Sequence, residues 1–137
     1  SGLTIAANSG CAHYNPTSDR VVVSGGGLSD SVILVPASGN HIVAGNMPAA
    51  VFLANGTANF IPDPSSATSL IIEVDGTVHP LDTTNGTWGS TTSVPSPLSQ
   101  VNGLADTQYI PISDLGVILI VVYAGSNSSR MFMWRYS

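Results

Sequence analysis

Leu70-Ile71-Ile72-Glu73-Val74-Asp75-Gly76-Thr77-Val78-His79-Pro80-Leu81 is the segment on which the fold turns. Two apolar, β-branched runs flank Asp-Gly, a pair that tolerates positive φ at both central positions of a type I′ turn. The segment therefore predicts a two-residue β-hairpin. Val51-Phe52-Leu53-Ala54, Asn55-Gly56 and Thr57-Ala58-Asn59-Phe60-Ile61 repeat the pattern, and Asn85-Gly86 repeats it with fewer apolar flanks. The turns are unevenly spaced, which marks recurrent hairpins and not a solenoid.

Working outward, strands are expected near 3–6, 20–23, 31–35, 40–44, 50–54, 57–61, 69–74, 77–81, 107–112, 116–124 and 130–136. Gly, Pro, Asn, Asp and Ser punctuate them, and no window of helical length carries an apolar stripe at helical period. Gly116 to Ala124 is apolar at successive positions, as in a strand covered on both faces. In the closing strand Met131, Met133 and Arg135 face one way, and Phe132, Trp134 and Tyr136 the other. Ser, Thr, Pro and Gly dominate the stretch near 83–100, where Pro95 and Pro97 argue against a central strand. That stretch is expected to be a long surface loop, the kind of segment that carries binding functions. Together these features predict one all-β domain over residues 1–137, an antiparallel β-sandwich with jelly-roll-like topology.

Of the 137 residues, 43% are apolar and only 8% charged, with a net charge of −5. Ordinary soluble domains carry about 25% charged residues. The cations are Arg20, Arg130 and Arg135, with no Lys, and three scattered Arg exclude the clustered basic face that nucleic acid requires. The apolar run Val117–Tyr123 falls far short of the roughly 20 residues of a membrane helix. Ser1-Gly2-Leu3-Thr4-Ile5 has neither the basic end nor the apolar stretch of a signal peptide. So low a charge fits a hydroxyl-rich extracellular or virion coat, or a subunit whose flanks are covered by copies of itself. A homo-oligomer is therefore the expected state.

No residue pattern predicts catalysis. Cys11-Ala12-His13 sets a thiol beside an imidazole but lacks further ligands for zinc, and residues two apart rarely meet as a nucleophile pair. His41 and His79 stand singly in strand-like stretches. Asp19, Asp30, Asp63, Glu73, Asp75, Asp82, Asp106 and Asp114 fall mostly at turns, where Asp caps backbone donors. Gly25-Gly26-Gly27 lacks the Gly-Lys-Ser/Thr and following helix of a phosphate loop, and Gly-x-Ser-x-Gly is missing. No metal and no cofactor is expected. Three sequons begin at Asn55, Asn85 and Asn127, at a density that the Asn, Ser and Thr content alone explains. The candidate ligand-binding residues are Trp88, whose indole stands in a hydroxyl-rich loop and suits stacking on a sugar ring, with Asp82, Asn85 and Tyr109. Tyr14 and Trp134 are further candidates for an aromatic platform, although Trp134 reads as core.

Ser31-Val32-Ile33-Leu34-Val35-Pro36-Ala37-Ser38-Gly39-Asn40-His41-Ile42-Val43 resembles the β-rich domains of bacteriophage tail fibres and capsid-decoration proteins. The Val117–Tyr123, turn, Met131–Tyr136 hairpin is similar to their C-terminal strand pair around a Trp. The resemblance implies a non-enzymatic virion surface protein, a trimer around an axis, that contacts a major capsid or tail protein or presents loops for host attachment. The chain departs from those families in its Pro/Ser-rich 83–100 stretch and in having no coiled-coil stem. Two alternatives stand beside this expectation. One is a secreted or viral carbohydrate-binding module centred on Trp88. The other is a filament or pilus subunit whose Ser1–Ala7 strand inserts into a neighbour's sheet.

Overall fold

The Leu70–Leu81 hairpin lies at the centre of the protein, buried on both of its faces. The computed structural model describes residues 11–24, 32–44, 58–73, 75–95, 107–123 and 129–136. These form twelve strands in three antiparallel sheets. The first sheet holds β1 (Cys11–Asn15), β2 (Arg20–Ser24), β3 (Val32–Pro36) and β4 (Ile42–Ala44). The central sheet holds β5 (Ala58–Pro62), β6 (Thr68–Glu73), β7 (Thr77–Asp82) and β8 (Thr87–Trp88), with β9 (Thr92–Ser93) also paired to β7. The third holds β10 (Thr107–Ile112), β11 (Val117–Tyr123) and β12 (Ser129–Trp134).

The expected all-β antiparallel sandwich is what forms, and the strands expected in the described stretches agree with these bounds to within about two residues. Apart from β9, which pairs back to β7, strand order within each sheet follows chain order, so the described pairings are those of meanders and not of a jelly roll. The expected strands at 3–6 and 50–54, the Asn55-Gly56 turn, Gly25–Gly27 and the end of the 83–100 stretch lie outside the described residues. No helix among the described residues is long and apolar enough to cross a membrane.

Period-two alternation explains the three layers. On one face of the central sheet Ile61, Leu70, Ile72 and Val78 meet Tyr109, Ile118, Ile120 and Val122 of the third sheet, with Phe132 and Trp134 packed alongside. On the other face Phe60, Ile71 and Leu81 meet Val22, Val32, Leu34 and Ala44 of the first sheet. The register fits this division, pairing Ile61 with Leu70 and Ile72 with Val78 on one side, and Phe60 with Ile71 on the other. A sheet covered on both faces needs apolar residues at successive positions, which is why Leu70-Ile71-Ile72 does not alternate.

β11 was expected to be the doubly covered strand, and the structure corrects this. Only Ile118, Ile120 and Val122 point into the core, while Val117, Leu119, Val121 and Tyr123 point away from it. The strands buried on both faces are β6 and β7.

The hairpin turns also differ from expectation. β6 and β7 are joined by three residues, 74–76; Gly76, at φ 87°, carries the positive φ, and its N–H donates to the Glu73 carbonyl at 3.0 Å. This fits a turn closed by a left-handed glycine. Between β7 and β8 the chain takes four residues, Thr83–Gly86, again with only the glycine left-handed.

The stretch after Thr83, expected to be a surface loop, folds back onto β7 instead. Thr83 and Gly86 are buried, β8 and β9 add to the central sheet, and Val94 enters the core. Strands of two residues leave no periodicity to read, so composition alone was misleading here.

Candidate functional site

Asp82, Asn85 and Trp88 lie together on the β7–β8 turn, but their side chains serve the turn itself. Asp82 Oδ1 accepts the Thr84 N–H at 2.7 Å and its Oδ2 accepts Asn85 Nδ2 at 2.8 Å. Asn85 Oδ1 in turn accepts the N–H and hydroxyl of Thr87, at 2.9 and 2.5 Å. Trp88 is half-buried against the core between the first and central sheets, as is Ile42. Tyr109 belongs to the opposite core, between the central and third sheets, where burial pushes its phenol up to about 12. The structure therefore separates Tyr109 from the other three across the central sheet, and the four form no single surface. Of the further platform candidates, Tyr14 is exposed and donates to Asp19 Oδ1 at 2.7 Å, whereas Trp134 packs edge-on to Tyr136 beside the core.

Asp63 and Asp75 act locally too, while Asp30 and Asp106 lie outside the described residues. Asp63, fully buried, accepts the Ser65 N–H and hydroxyl through Oδ1 and the Ser66 hydroxyl through Oδ2. The Thr77 N–H and hydroxyl hold the Asp75 carboxyl below its ordinary value. His13 faces the central sheet, bonded to the Ser69 hydroxyl at 2.8 Å and set edge-on to Phe60, and burial lowers its imidazole to about 4. Among the described residues no three His, Cys, Asp or Glu side chains gather as metal ligands.

One arrangement escaped the reading of the sequence: a carboxylate, an imidazole and a hydroxyl in a row. His79, nearly buried, meets Glu73 Oε1 through Nε2 at 2.5 Å, while Nδ1 lies 3.4 Å from the Thr91 hydroxyl. The row has the composition of a hydrolytic triad, with a hydroxyl contact longer than an ordinary O–H···N bond and a buried ring held from both sides. Its effect is to tie β6 and the segment before β9 to β7. Glu73 and His79 flank a hairpin whose register brings them near each other, a cue that was legible; Thr91 had no signal.

What remains accessible and chemically distinctive is the outside of the two flanking sheets. On the third sheet the residues pointing away from the core are the apolar Ile110 and Ile112, Val117, Leu119, Val121 and Tyr123, and Met131 and Met133, with the polar Gln108 opposite Val121 and Ser129 opposite Tyr123. Ile110 stands opposite Leu119, which stands opposite Met133, and Val121 stands opposite Met131. On the first sheet Tyr14, Val21, Val35 and Val43 are exposed in the same way, and Tyr14, Val21 and Val35 form a cross-strand row. The chain thus carries an apolar exterior on both flanks of its central sheet. Contiguous apolar patches of this kind mark interaction sites.

No protein-family model matches the chain, and no curated protein matches it.

Proposed function

We propose that the protein is a non-enzymatic structural subunit of a virion surface, a capsid-decoration protein or tail-fibre head. On this reading it associates with copies of itself through uncharged sheet faces and turns its loops outward. One observation carries the reading: the apolar residues on the outward sides of both flanking sheets, in a chain with only 8% charged residues. An apolar outer strand face costs solubility unless something covers it, and sister subunits are the partner most consistently available in a repeating shell. Asp19, Asp63, Asp75, Asp82 and the His79 row, occupied with turns and strand ties, leave assembly as the chemistry best supported. The glycan-binding alternative loses its proposed cluster, because Asp82 and Asn85 are engaged with each other and Tyr109 is core.

The test has two parts. Sedimentation or light scattering of the purified protein should report an assembly heavier than one chain, and a monomer at all concentrations would overturn self-association. Antibody labelling of purified particles under the electron microscope should then decorate their exterior, and unlabelled particles would overturn the virion assignment alone.

A further inference from the structure

The two apolar exteriors are not equivalent, and the difference identifies a partner. On the first sheet the exposed side chains are mostly β-branched valines, and the Tyr14 hydroxyl is committed to Asp19. On the third sheet relief varies systematically across the strands. Met131 and Met133, on the edge strand β12, are 71% and 74% exposed. Val117, Leu119 and Val121 on the middle strand are half-buried, and Ile110 on the far strand is 43% exposed. The face is therefore a methionine ridge along one side and a shallow trough beside it.

We infer that this face is the contact with a second copy of the same chain, related by a two-fold axis near Leu119; the inference rests on the self-association proposed above. A two-fold running along the strand direction places the ridge of each copy over the trough of the other, which is the isologous form of complementarity. Packed sheets stand about 10 Å apart with interdigitating side chains, and methionine adapts its shape to such a gap. Size supports the same partner. At roughly 200 Å2 for a fully exposed large side chain, the four most exposed apolar residues of the face, Met131, Met133, Ile110 and Tyr123 at 53%, present about 500 Å2. The half-buried Ile112, Val117, Leu119 and Val121 bring the face towards the roughly 800 Å2 per partner of a stable complex. No carboxylate lies among the outward residues of β10, β11 and β12, and the Arg135 guanidinium, just past β12, donates to the Leu115 carbonyl at 3.1 Å. The smallest assembly built by this face is a dimer, not the trimer that the family resemblance implies.

The test compares the full chain with Met131→Glu/Met133→Glu and, as a control, Ser90→Glu in the exposed link between β8 and β9. Wild type and Ser90→Glu should sediment as dimers. The double variant should keep the wild-type circular dichroism and weaken the dimer by about 100-fold or more. If wild type assembles and the double variant assembles equally well, this face is not the contact, while self-association stands. If wild type is monomeric, both readings fall. A second measurement covers the case of a misfolded double variant. In a Cys11→Ser background, Leu119→Cys should be bridged into covalent dimers by a bismaleimide about 10 Å long, and Ser90→Cys should not. Leu119→Cys chains that stay single would overturn the inference.

Discussion

Asn15, with no exposed surface, reaches from β1 to the carbonyl of Thr68 at 2.9 Å, the same oxygen that accepts the Asp63 N–H at 2.8 Å. Its Nδ2 also donates to the Ser66 carbonyl, and its Oδ1 accepts the N–H groups of Thr17 and Ser18. One side chain thereby closes the β1–β2 turn and fastens it to the central sheet. Asn15→Ala leaves several buried partners unmatched and should lower unfolding free energy by about 2–4 kcal/mol. Asn15→Asp keeps the acceptor but loses the donor and should also destabilise the fold. Urea denaturation checks both, and an Asp variant as stable as wild type would refute the donor role.

The three-layer arrangement makes a comparative prediction. Ile71, covered on both sides by neighbouring strands and by the first sheet, should cost about 2–5 kcal/mol when replaced by Ala. Val121→Ala, on the outward side of β11, should cost under about 1 kcal/mol in the dissociated chain. Unfolding measured at low protein concentration separates the two, and equal losses would contradict the assigned layers.

His13 makes stability depend on pH. The folded protein holds its imidazole neutral down to about pH 4, while the unfolded chain takes up the proton near 6.5. The unfolded state therefore binds more protons between these values, and stability rises with pH across that window. It should be complete above about pH 6.5 and fall by about 3 kcal/mol as the pH drops to 4. His13→Gln should flatten this slope in melts recorded from pH 4 to 7.

Gly86 joins backbone conformation to packing. Its φ is 76°, and an added Cβ would stand 3.1 Å from Ile42 Cγ2 and 3.4 Å from Ala44 Cα of the first sheet. Gly86→Ala should cost about 1–3 kcal/mol. Because the crowding lies between sheets, the Trp88 fluorescence should change in the folded variant. An unaltered melting temperature would argue against that close approach.

Strand content was legible because alternation and turn chemistry act locally, on each residue and its neighbours. The layer order was not. Leu70-Ile71-Ile72 and Val117–Val122 are equally apolar, yet the first lies between two sheets and the second has one bare side. Hydropathy reports that a side chain avoids water, not whether its own chain or another supplies the cover. β1 was missed because Tyr14, the largest residue of Cys11–Asn15, is exposed while the polar Asn15 is buried. Trp88 is a lone aromatic among hydroxyls in the sequence, and the core it packs against draws on β2, β3 and β4, distant strands that no local pattern could name.

The meander order sets how the chain comes together. Each hydrogen-bonded ladder closes between successive strands, or across the brief detour from β7 to β9, so zipping requires little loop closure. The middle layer differs from its neighbours because neither of its sides is dry until both others have docked. Hairpins should therefore appear early and cooperative stability late, with β6 and β7 as the last part of the molecule to exchange its amide protons.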